Sequence, residues 1–260
     1  MVLEKKGPDF VGVGVEKCGT TWLSEVLSQH PEIFIPKKEI RFFSRRFYKG
    51  YEWYNNFFLN KNSRKAGEFT PIYWITPFSN PAKKEYYPNW FLKRIFYFWR
   101  RLPSARDELK THYPEVKVFA IFRNPVERAW SDYWFHVQVY SRNGKRRTAP
   151  FEKVWSEDGR WIKTQGLYAH YVAYWREAFP DLGVFFYDDL KKDPIELARS
   201  VYRFIGVDDK FIPDISHWPL KGNYPPISPN IRKMMVDFFR EQILQFSAMT
   251  GRDLSDWLKI

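Results

Sequence analysis

At 260 residues, the chain is long enough to bury a sizeable core, as one large α/β domain or two small ones. Its single cysteine excludes an internal disulfide framework, and no apolar run approaches the roughly 18 residues that a membrane-spanning helix needs. The 42 lysines and arginines exceed the 30 acidic residues by 12, which favours anionic partners such as nucleotides, acidic glycans, nucleic acid or an anionic lipid surface. Because the N-terminus has no signal-peptide pattern, we predict a soluble, cytoplasmic protein.

Apolar stretches and helical stretches alternate along the chain. In chain order, the predicted strands are residues 10–15, 33–35, 67–69, 116–122 and 184–187. The predicted helices are residues 20–29, 51–58, 125–139, 166–178, 194–205 and 229–246. This alternation is typical of a parallel sheet covered by helices on both faces, in which ligands bind at the carboxyl ends of the strands.

The first strand leads into the sequence Lys17-Cys18-Gly19-Thr20-Thr21-Trp22, which predicts a glycine-bearing turn that opens a helix. Such a turn directs backbone N–H groups, hydroxyls and a helix N-terminus at one point, and Lys17 adds a positive charge, so a phosphate-like anion is favoured there. A nucleoside-triphosphatase P-loop would place its lysine directly after Gly19, where Thr20 stands instead. The alternative interpretation is a strand–turn–helix joint with an incidental lysine.

A second motif follows the strand at residues 116–122. Arg123 leaves the strand beside a helix that Asn124 is predicted to cap, and Arg128 and Ser131 share one helix face with Asn124. A forked arginine with a nearby hydroxyl is suited to a terminal phosphate. The alternative is a capped helix in which Arg128 and Asp132 form an ordinary solvated ion pair.

Together, the two motifs resemble the nucleotide motifs of sulfotransferases that use 3′-phosphoadenosine-5′-phosphosulfate (PAPS). Similar segments at residues 36–43 and 50–54, and weaker ones at 67–73, 168–171 and 221–223, look like the heparan-sulfate and bacterial carbohydrate branch. The resemblance spans roughly residues 10 to 230. It implies an α/β, P-loop-NTPase-like three-layer fold with a central parallel sheet, formed by a single domain over residues 1–260 with a family-variable insertion at 82–112.

The resemblance also implies a reaction: in-line transfer of a sulfuryl group from PAPS to a hydroxyl or amine of a carbohydrate-type acceptor, leaving PAP and needing no metal. Glu39 is implied to be the base, and Lys17 to stabilise the leaving phosphosulfate. The implied donor-binding residues are Lys17, Cys18, Gly19, Thr20, Thr21, Trp22, Arg123, Ser131, Lys221, Gly222 and Asn223. The implied acceptor-binding residues are Arg41, Phe69 and Tyr73, although the carbohydrate branch often has lysine where Phe69 stands.

Other functions stay open on the sequence. The acceptor could be a small or lipid-linked molecule, and the aromatic and basic stretch at residues 83–101 could then form a lid or contact a membrane surface peripherally. A phosphoryl transferase could use Asp188 and Asp189 for magnesium at a strand end, and a nucleotide-binding module could lack chemistry altogether. We find no nucleic-acid motif beyond charge, and the sequence does not give the oligomeric state.

Overall fold

A sheet of five parallel strands, in the order β2-β3-β1-β4-β5, lies at the centre of the protein. The structure is a computed structural model and describes residues 7–75, 104–142, 149–158, 160–216 and 222–260. The strands are β1 (Phe10–Gly14), β2 (Ile33–Phe34), β3 (Lys65–Phe69), β4 (Lys117–Phe122) and β5 (Gly183–Phe186). The predicted parallel sheet is therefore confirmed, and each predicted strand overlaps an observed one.

Helices flank this sheet. They are α1 (Thr20–Ser28), α2 (Gly50–Asn55), α3 (Ala105–His112), α4 (Pro125–Arg142), α5 (Phe151–Lys153), α6 (Arg160–Thr164), α7 (Tyr168–Ala178), α8 (Tyr187–Lys192), α9 (Pro194–Ile205) and α10 (Pro229–Thr250). Short 3₁₀ or π turns occupy Phe42–Arg46, Phe47–Lys49, Asn56–Phe58, Pro71–Ile75, Val154–Asp158 and Ser255–Leu258. Among the described helices, none combines the length and the apolar character needed to cross a membrane.

Four of these helices were not predicted, namely the short α5 and α6 and, in addition, α3 and α8. Helix α8 begins at Tyr187, directly after β5, where the sequence predicts that the strand continues. Helix α3 lies within the predicted insertion at residues 82–112, of which residues 82–103 are outside the described part of the chain. The Ser104 side chain caps α3 by accepting a hydrogen bond from the Asp107 amide, and Ala105 and Leu109 are fully buried. Helix α3 therefore packs one face against the core, while Asp107, Lys110, Thr111 and His112 are exposed.

Much of the high aromatic content fills the core. Phe69, at the end of β3, packs edge-on against Phe10 of β1 and Phe119 of β4, with ring centroids 6.5 and 5.4 Å apart. Trp74 and Trp175 stack in parallel at 6.5 Å, and the Trp175 indole N–H donates to the Trp74 carbonyl over 3.0 Å. Packing of this kind has little freedom to shift, so it provides a rigid base beneath the ends of the three middle strands.

Strand order brings distant parts of the sequence together. Strand β1 pairs with β3 on one side and β4 on the other, so the segments that follow these three strands emerge at one edge of the sheet. Pairing continues past the strands, because the Val15 amide donates to the Ile121 carbonyl (3.1 Å) and the Thr70 amide to the Gly12 carbonyl (3.0 Å). This edge carries both sequence motifs.

Candidate active site

The loop after β1 is shaped to present a helix N-terminus. Lys17 and Gly19 have φ angles of 68° and 92°, in the left-handed region that glycine adopts without cost but lysine rarely does. No side chain caps α1, whereas Ser104, Asp193 and Ser228 cap α3, α9 and α10. The positive end of the α1 dipole therefore faces the loop without a protein carboxylate or hydroxyl to cap it, which suits an anionic ligand.

Lys17 lies at the mouth of this loop. Its ammonium nitrogen is 4.0 Å from the centroid of the Phe135 ring, and Phe135 is 43% exposed on α4. Burial lowers the pKa of the Lys17 ammonium, and the negative charges of Asp132 and Glu16 partly oppose that shift. The lysine is thus a partly desolvated cation, which interacts more strongly with an anion than a fully hydrated one does.

The remaining loop side chains divide between the site and the core. Trp22 is buried, as expected for a residue that packs the first turn of a helix, whereas Thr21 is partly exposed. The Cys18 thiol is also buried, and burial raises its pKa to about 11, so it is a neutral thiol at physiological pH. Cys18 therefore shapes the loop and cannot act as a thiolate nucleophile.

Arg123 joins the second motif to the first. Its Nη1 donates to the Lys17 carbonyl over 3.4 Å, and its guanidinium lies 4.9 Å from the ring centroid of Tyr187. The Tyr168 hydroxyl donates to the Arg123 carbonyl at 2.8 Å and lies 3.9 Å from the Cys18 sulfur, so it bridges the two loops. The Nε atom of Arg123 is buried and has no hydrogen-bond partner among the described residues. A buried cationic donor without an acceptor fits a site that holds a phosphate.

The structure contradicts one of the two interpretations of the second motif, which extends into α4. The alternative, a solvated ion pair, is wrong, because Arg128 and Asp132 are 0% and 1% exposed and form a buried ion pair at 3.3 Å. Arg128 also donates to the Ile162 carbonyl, so it braces α4 against α6. Asn124 accepts from the Val126 amide at 2.9 Å and caps the helix. Ser131, two turns into α4, is buried on the same helix as this pair.

The loop that carries Glu39 is attached to the end of β3 by hydrogen bonds from three consecutive backbone amides. The amides of Glu39, Ile40 and Arg41 donate to the Phe69 carbonyl (2.8 Å), the Glu68 carboxylate (3.1 Å) and the Thr70 hydroxyl (3.1 Å), respectively. Glu39 and Arg41 both have φ angles of 57°, again in the left-handed region. Strained backbone of this kind persists only where the surroundings hold it, and it is concentrated at functional sites.

Glu68 is the centre of this attachment, and the sequence did not identify it as a site residue. It is fully buried and accepts hydrogen bonds from the hydroxyls of Thr70 (2.7 Å), Tyr54 (2.8 Å) and Tyr73 (3.2 Å), besides the Ile40 amide. Burial raises the pKa of the Glu68 carboxyl, and these hydrogen bonds oppose that rise. The available signal was a carboxylate among the apolar residues Ala66, Gly67 and Phe69 of β3.

Glu39 itself lies at the surface of the site. Its Oε2 accepts from both Nε and Nη2 of Arg41, with Nε at 2.8 Å, and both side chains are only about one-third exposed. The neighbouring Lys38 donates to the Thr21 hydroxyl at the start of α1. The predicted base and the predicted donor loop are thus brought together through Lys38 and Thr21.

The three predicted acceptor contacts lie at different depths. Arg41 is partly exposed, but Phe69 and Tyr73 are both 0% exposed. Phe69 packs in the core, and the Tyr73 hydroxyl accepts from the Phe43 amide at 3.3 Å in addition to bonding Glu68. Phe69 and Tyr73 therefore support the site from below and do not present a surface to an acceptor.

Glu16 is a second carboxylate that the sequence did not single out. The Gln165 side chain donates to its Oε2 at 2.6 Å, and the Glu16 amide donates back to the Gln165 side-chain oxygen at 3.3 Å. Burial raises the pKa of the Glu16 carboxyl to about 7, and the nearby charge of Asp132 adds to the rise. Glu16 therefore titrates near neutral pH, one residue from Lys17.

The segment predicted to close over the nucleotide is partly described. Lys221 lies outside the described residues, whereas Gly222 and Asn223 are exposed. The next residue, Tyr224, acts on Arg123: burial alone would lower the pKa of Arg123, but Tyr224 and Tyr187 raise it. The 222–224 segment therefore approaches the same guanidinium as the first motif.

The strand end at β5 does not present free carboxylates. Asp189 accepts two hydrogen bonds from Arg252 (2.6 and 2.7 Å), and Asp188 accepts one from the Trp257 indole (2.8 Å). Among the described residues, no group of three His, Cys, Asp or Glu side chains could hold a metal ion.

Comparison with known proteins identifies the family. Residues 7–246 match the sulfotransferase domain family. The chain belongs to this family. A crystal structure of a sulfotransferase from Alicyclobacillus acidocaldarius is similar, with 26% identity and a TM-score of 0.73, covering 97% of this chain and 99% of that one. The resemblance stated from the two motifs and the implied fold are both confirmed.

Two curated relatives are similar in sequence. Mouse heparan sulfate glucosamine 3-O-sulfotransferase 3B1 is 27% identical over 285 residues, which cover 96% of this chain and 65% of the relative. The bifunctional heparan sulfate N-deacetylase/N-sulfotransferase 1 of Caenorhabditis briggsae is 28% identical over 243 residues, covering 84% of this chain and 25% of the relative. The chain thus spans slightly less than two-thirds of the first protein and a quarter of the second.

Proposed function

We propose that this sulfotransferase moves a sulfuryl group from PAPS to a hydroxyl or amine of a carbohydrate acceptor. The observation that carries the proposal is that four features meet at one sheet edge. They are the uncapped N-terminus of α1, Lys17, Arg123 with its buried Nε, and the anchored carboxylate Glu39. The carbohydrate acceptor is supported by relatives named for heparan sulfate and its glucosamine.

The residues fit the two anionic ends of PAPS. The α1 N-terminus, Lys17 and Thr21 would hold the 5′-phosphosulfate, while Arg123 and Ser131 would hold the 3′-phosphate. The unpaired Nε of Arg123 supports this assignment. The remaining loop residues Cys18, Gly19, Thr20 and Trp22 set the shape of the loop, and the exposed Gly222 and Asn223 would lie beside the bound nucleotide. When bound, PAPS supplies the transferable sulfuryl group and its leaving phosphate.

Two side chains would carry the chemistry. Glu39 would accept the proton of the acceptor hydroxyl or amine, and Arg41, bonded to its Oε2, would hold the carboxylate in position. Lys17 would stabilise the negative charge that develops on the leaving side, and its partial desolvation makes that stabilisation stronger.

The alternatives are less well supported. The phosphoryl-transferase hypothesis relied on Asp188 and Asp189, and both are engaged by the C-terminal segment. A lipid-linked acceptor relied on residues 83–101, which lie outside the described part of the chain.

Calorimetric titration with PAP, 5′-AMP and ATP–magnesium tests the donor site. We expect micromolar binding of PAP, weaker binding of 5′-AMP, and a loss of PAP affinity in Arg123→Ala because that guanidinium holds the 3′-phosphate. A preference for ATP–magnesium, or no binding of PAP, would contradict the proposal.

Single-turnover kinetics with PAPS and a desulfated heparan-type oligosaccharide tests the chemistry. Lys17→Met and Glu39→Gln should each lower the transfer rate by roughly 10²–10³, the effect of losing one positioned stabilising or proton-accepting group. Unchanged transfer rates in variants that still bind PAP would contradict the proposed catalytic roles of Lys17 and Glu39.

A further inference from the structure

Lys38 occupies an unusual place for a cation. Its ammonium donates to the Thr21 hydroxyl, in the first turn of α1. The adjacent carboxylate, Glu39, is bonded to Arg41 instead. Burial lowers the pKa of Lys38, and the charges of Glu39 and Glu25 only partly oppose this shift. The ammonium is therefore partly desolvated and held by a neutral hydroxyl.

This arrangement is electrostatically unfavourable in the protein alone. The N-terminus of a helix carries a partial positive charge, and a cation placed there is destabilising. Lys17 lies at the same helix end and is also partly desolvated. Each ammonium carries the same sign as the positive end of the helix dipole, whereas both are complementary to a ligand with several negative charges.

We propose that Lys38 is a second donor-binding cation that contacts the 5′-phosphosulfate end of PAPS together with Thr21. Because the Thr21 oxygen accepts from Lys38, its own O–H is directed elsewhere and can donate to a ligand oxygen. Lys38 also directly precedes Glu39, so one short segment supplies a donor contact and the proposed base. This inference rests on the proposed function, since it assumes that the nucleotide binds at α1.

The test compares two nucleotides that differ only at the 5′ end. Calorimetry would measure the affinities of PAP and of adenosine 3′-phosphate, which lacks the 5′-phosphate, for the wild type, Lys38→Met and Lys38→Arg. Lys38→Met should weaken PAP binding about ten-fold, as expected for loss of one charge-assisted hydrogen bond, and change adenosine 3′-phosphate binding by less than about two-fold. Lys38→Arg should restore most of the PAP affinity.

Lys37→Met is the matched control, because Lys37 is the exposed neighbour and its loss removes the same charge. It should leave both affinities near the wild-type values. Thr21→Val, alone and combined with Lys38→Met, should give non-additive losses if the two side chains hold the same phosphate.

Two outcomes would overturn the assignment while leaving the proposed function intact: wild-type PAP affinity in Lys38→Met, or an equal loss for both nucleotides, which would mean that Lys38 only shapes the loop. If the wild type binds no PAP at all, the proposed function fails and this inference fails with it.

Discussion

At the scale of single residues, Glu16 is placed to make both stability and donor binding depend on pH. Its carboxyl lies beside Lys17 and near the charges of Asp132, His136 and Glu39. Its pKa is raised from 4.5 to about 7, so the folded protein binds this proton more tightly than the unfolded chain does. The stabilising contribution is therefore complete below pH 4.5 and is lost as the pH rises through 7.

Glu16→Gln should accordingly raise the free energy of unfolding at pH 8, by on the order of 1 kcal/mol, and change it little at pH 4, where the wild-type carboxyl is largely neutral in both the folded and the unfolded chain. The Gln165 side chain can still donate to the substituted amide, so the loop keeps its hydrogen bond. Urea unfolding at both pH values measures this, with Glu25→Gln, an exposed residue of α1, as the control. An equal effect at the two pH values would rule out titration of Glu16 as the cause.

The same substitution should change the pH dependence of PAP binding. Ionised Glu16 opposes the negative charge of the ligand, so wild-type affinity should fall relative to that of Glu16→Gln as the pH rises from 6 to 8. Comparing the two proteins at each pH cancels the titration of the ligand itself. Calorimetry would contradict this prediction if the ratio of the two affinities stayed constant.

Gly19 is required by the shape of the loop. It has a φ of 92°, and a Cβ at this position would lie 3.0 Å from Tyr187 and 3.1 Å from Leu190. Gly19→Ala should therefore destabilise the protein by about 1–3 kcal/mol and move the α1 N-terminus, which weakens PAP binding. Gly50→Ala is the control, because Gly50 also has a positive φ but a Cβ there meets no atom within 4 Å. A PAP affinity in Gly19→Ala equal to that of Gly50→Ala would show that the loop tolerates the change.

At the scale of elements, the end of β3 fixes the loop that carries the proposed base. Glu68 receives hydrogen bonds from the loop, from α2 through Tyr54, and from the Pro71–Ile75 turn through Tyr73. A buried carboxylate with several donors is costly to disrupt, because each donor left without an acceptor retains its desolvation cost.

Glu68→Ala should lower the free energy of unfolding by about 3 kcal/mol and also lower the transfer rate, since Ile40 loses its acceptor and the adjacent Glu39 its fixed position. Glu52→Ala, on the exposed side of α2, should change stability by less than about 0.5 kcal/mol. Urea unfolding and single-turnover kinetics measure the two effects. If Glu68→Ala is destabilised but keeps the full transfer rate, the hydrogen bonds to Glu68 do not determine the position of Glu39.

At the scale of the whole molecule, the segment after α10 closes the fold beneath the nucleotide motifs. The Trp257 indole donates to Asp188, and its ring packs on Phe246 at 6.3 Å and on Tyr168 at 6.2 Å. Arg252 adds a bidentate pair with Asp189. The same C-terminal turn thus contacts the Tyr168 that links the two motifs.

These two contacts should differ in strength. Trp257 is buried, so Trp257→Ala should cost about 3–5 kcal/mol of stability, whereas Arg252→Gln should cost less than about 1 kcal/mol because that pair is partly exposed and screened. Chemical unfolding of both variants, with added salt for the second, measures the difference. A larger loss in Arg252→Gln than in Trp257→Ala would reverse this ranking.

The sequence predicted the parts of the molecule that depend on local patterns. Strand positions, the α1 loop and the cap at Asn124 follow from apolar periodicity, glycine placement and capping preferences within a few residues. The contacts that organise the site are between distant positions: Lys38 and Thr21 are 17 residues apart, Ile40 and Glu68 are 28, and Glu16 and Gln165 are 149. Such pairs depend on how the strands are ordered, which no single segment encodes. Phe69 was predicted to bind the acceptor only because it matches a position in the family motif. Its side chain is buried because it packs against Phe10 and Phe119 in the core.

The left-handed backbone at Lys17, Glu39 and Arg41 has a consequence for attempts to improve this protein. Glycine adopts that conformation freely, so replacing any of the three with glycine relieves strain, and a search for heat-resistant variants would tend to favour those substitutions. Each of them would also remove a side chain that the proposed reaction needs. Substitutions that raise stability at these positions are therefore expected to lower turnover. Stabilising substitutions in this enzyme should be sought elsewhere in the chain.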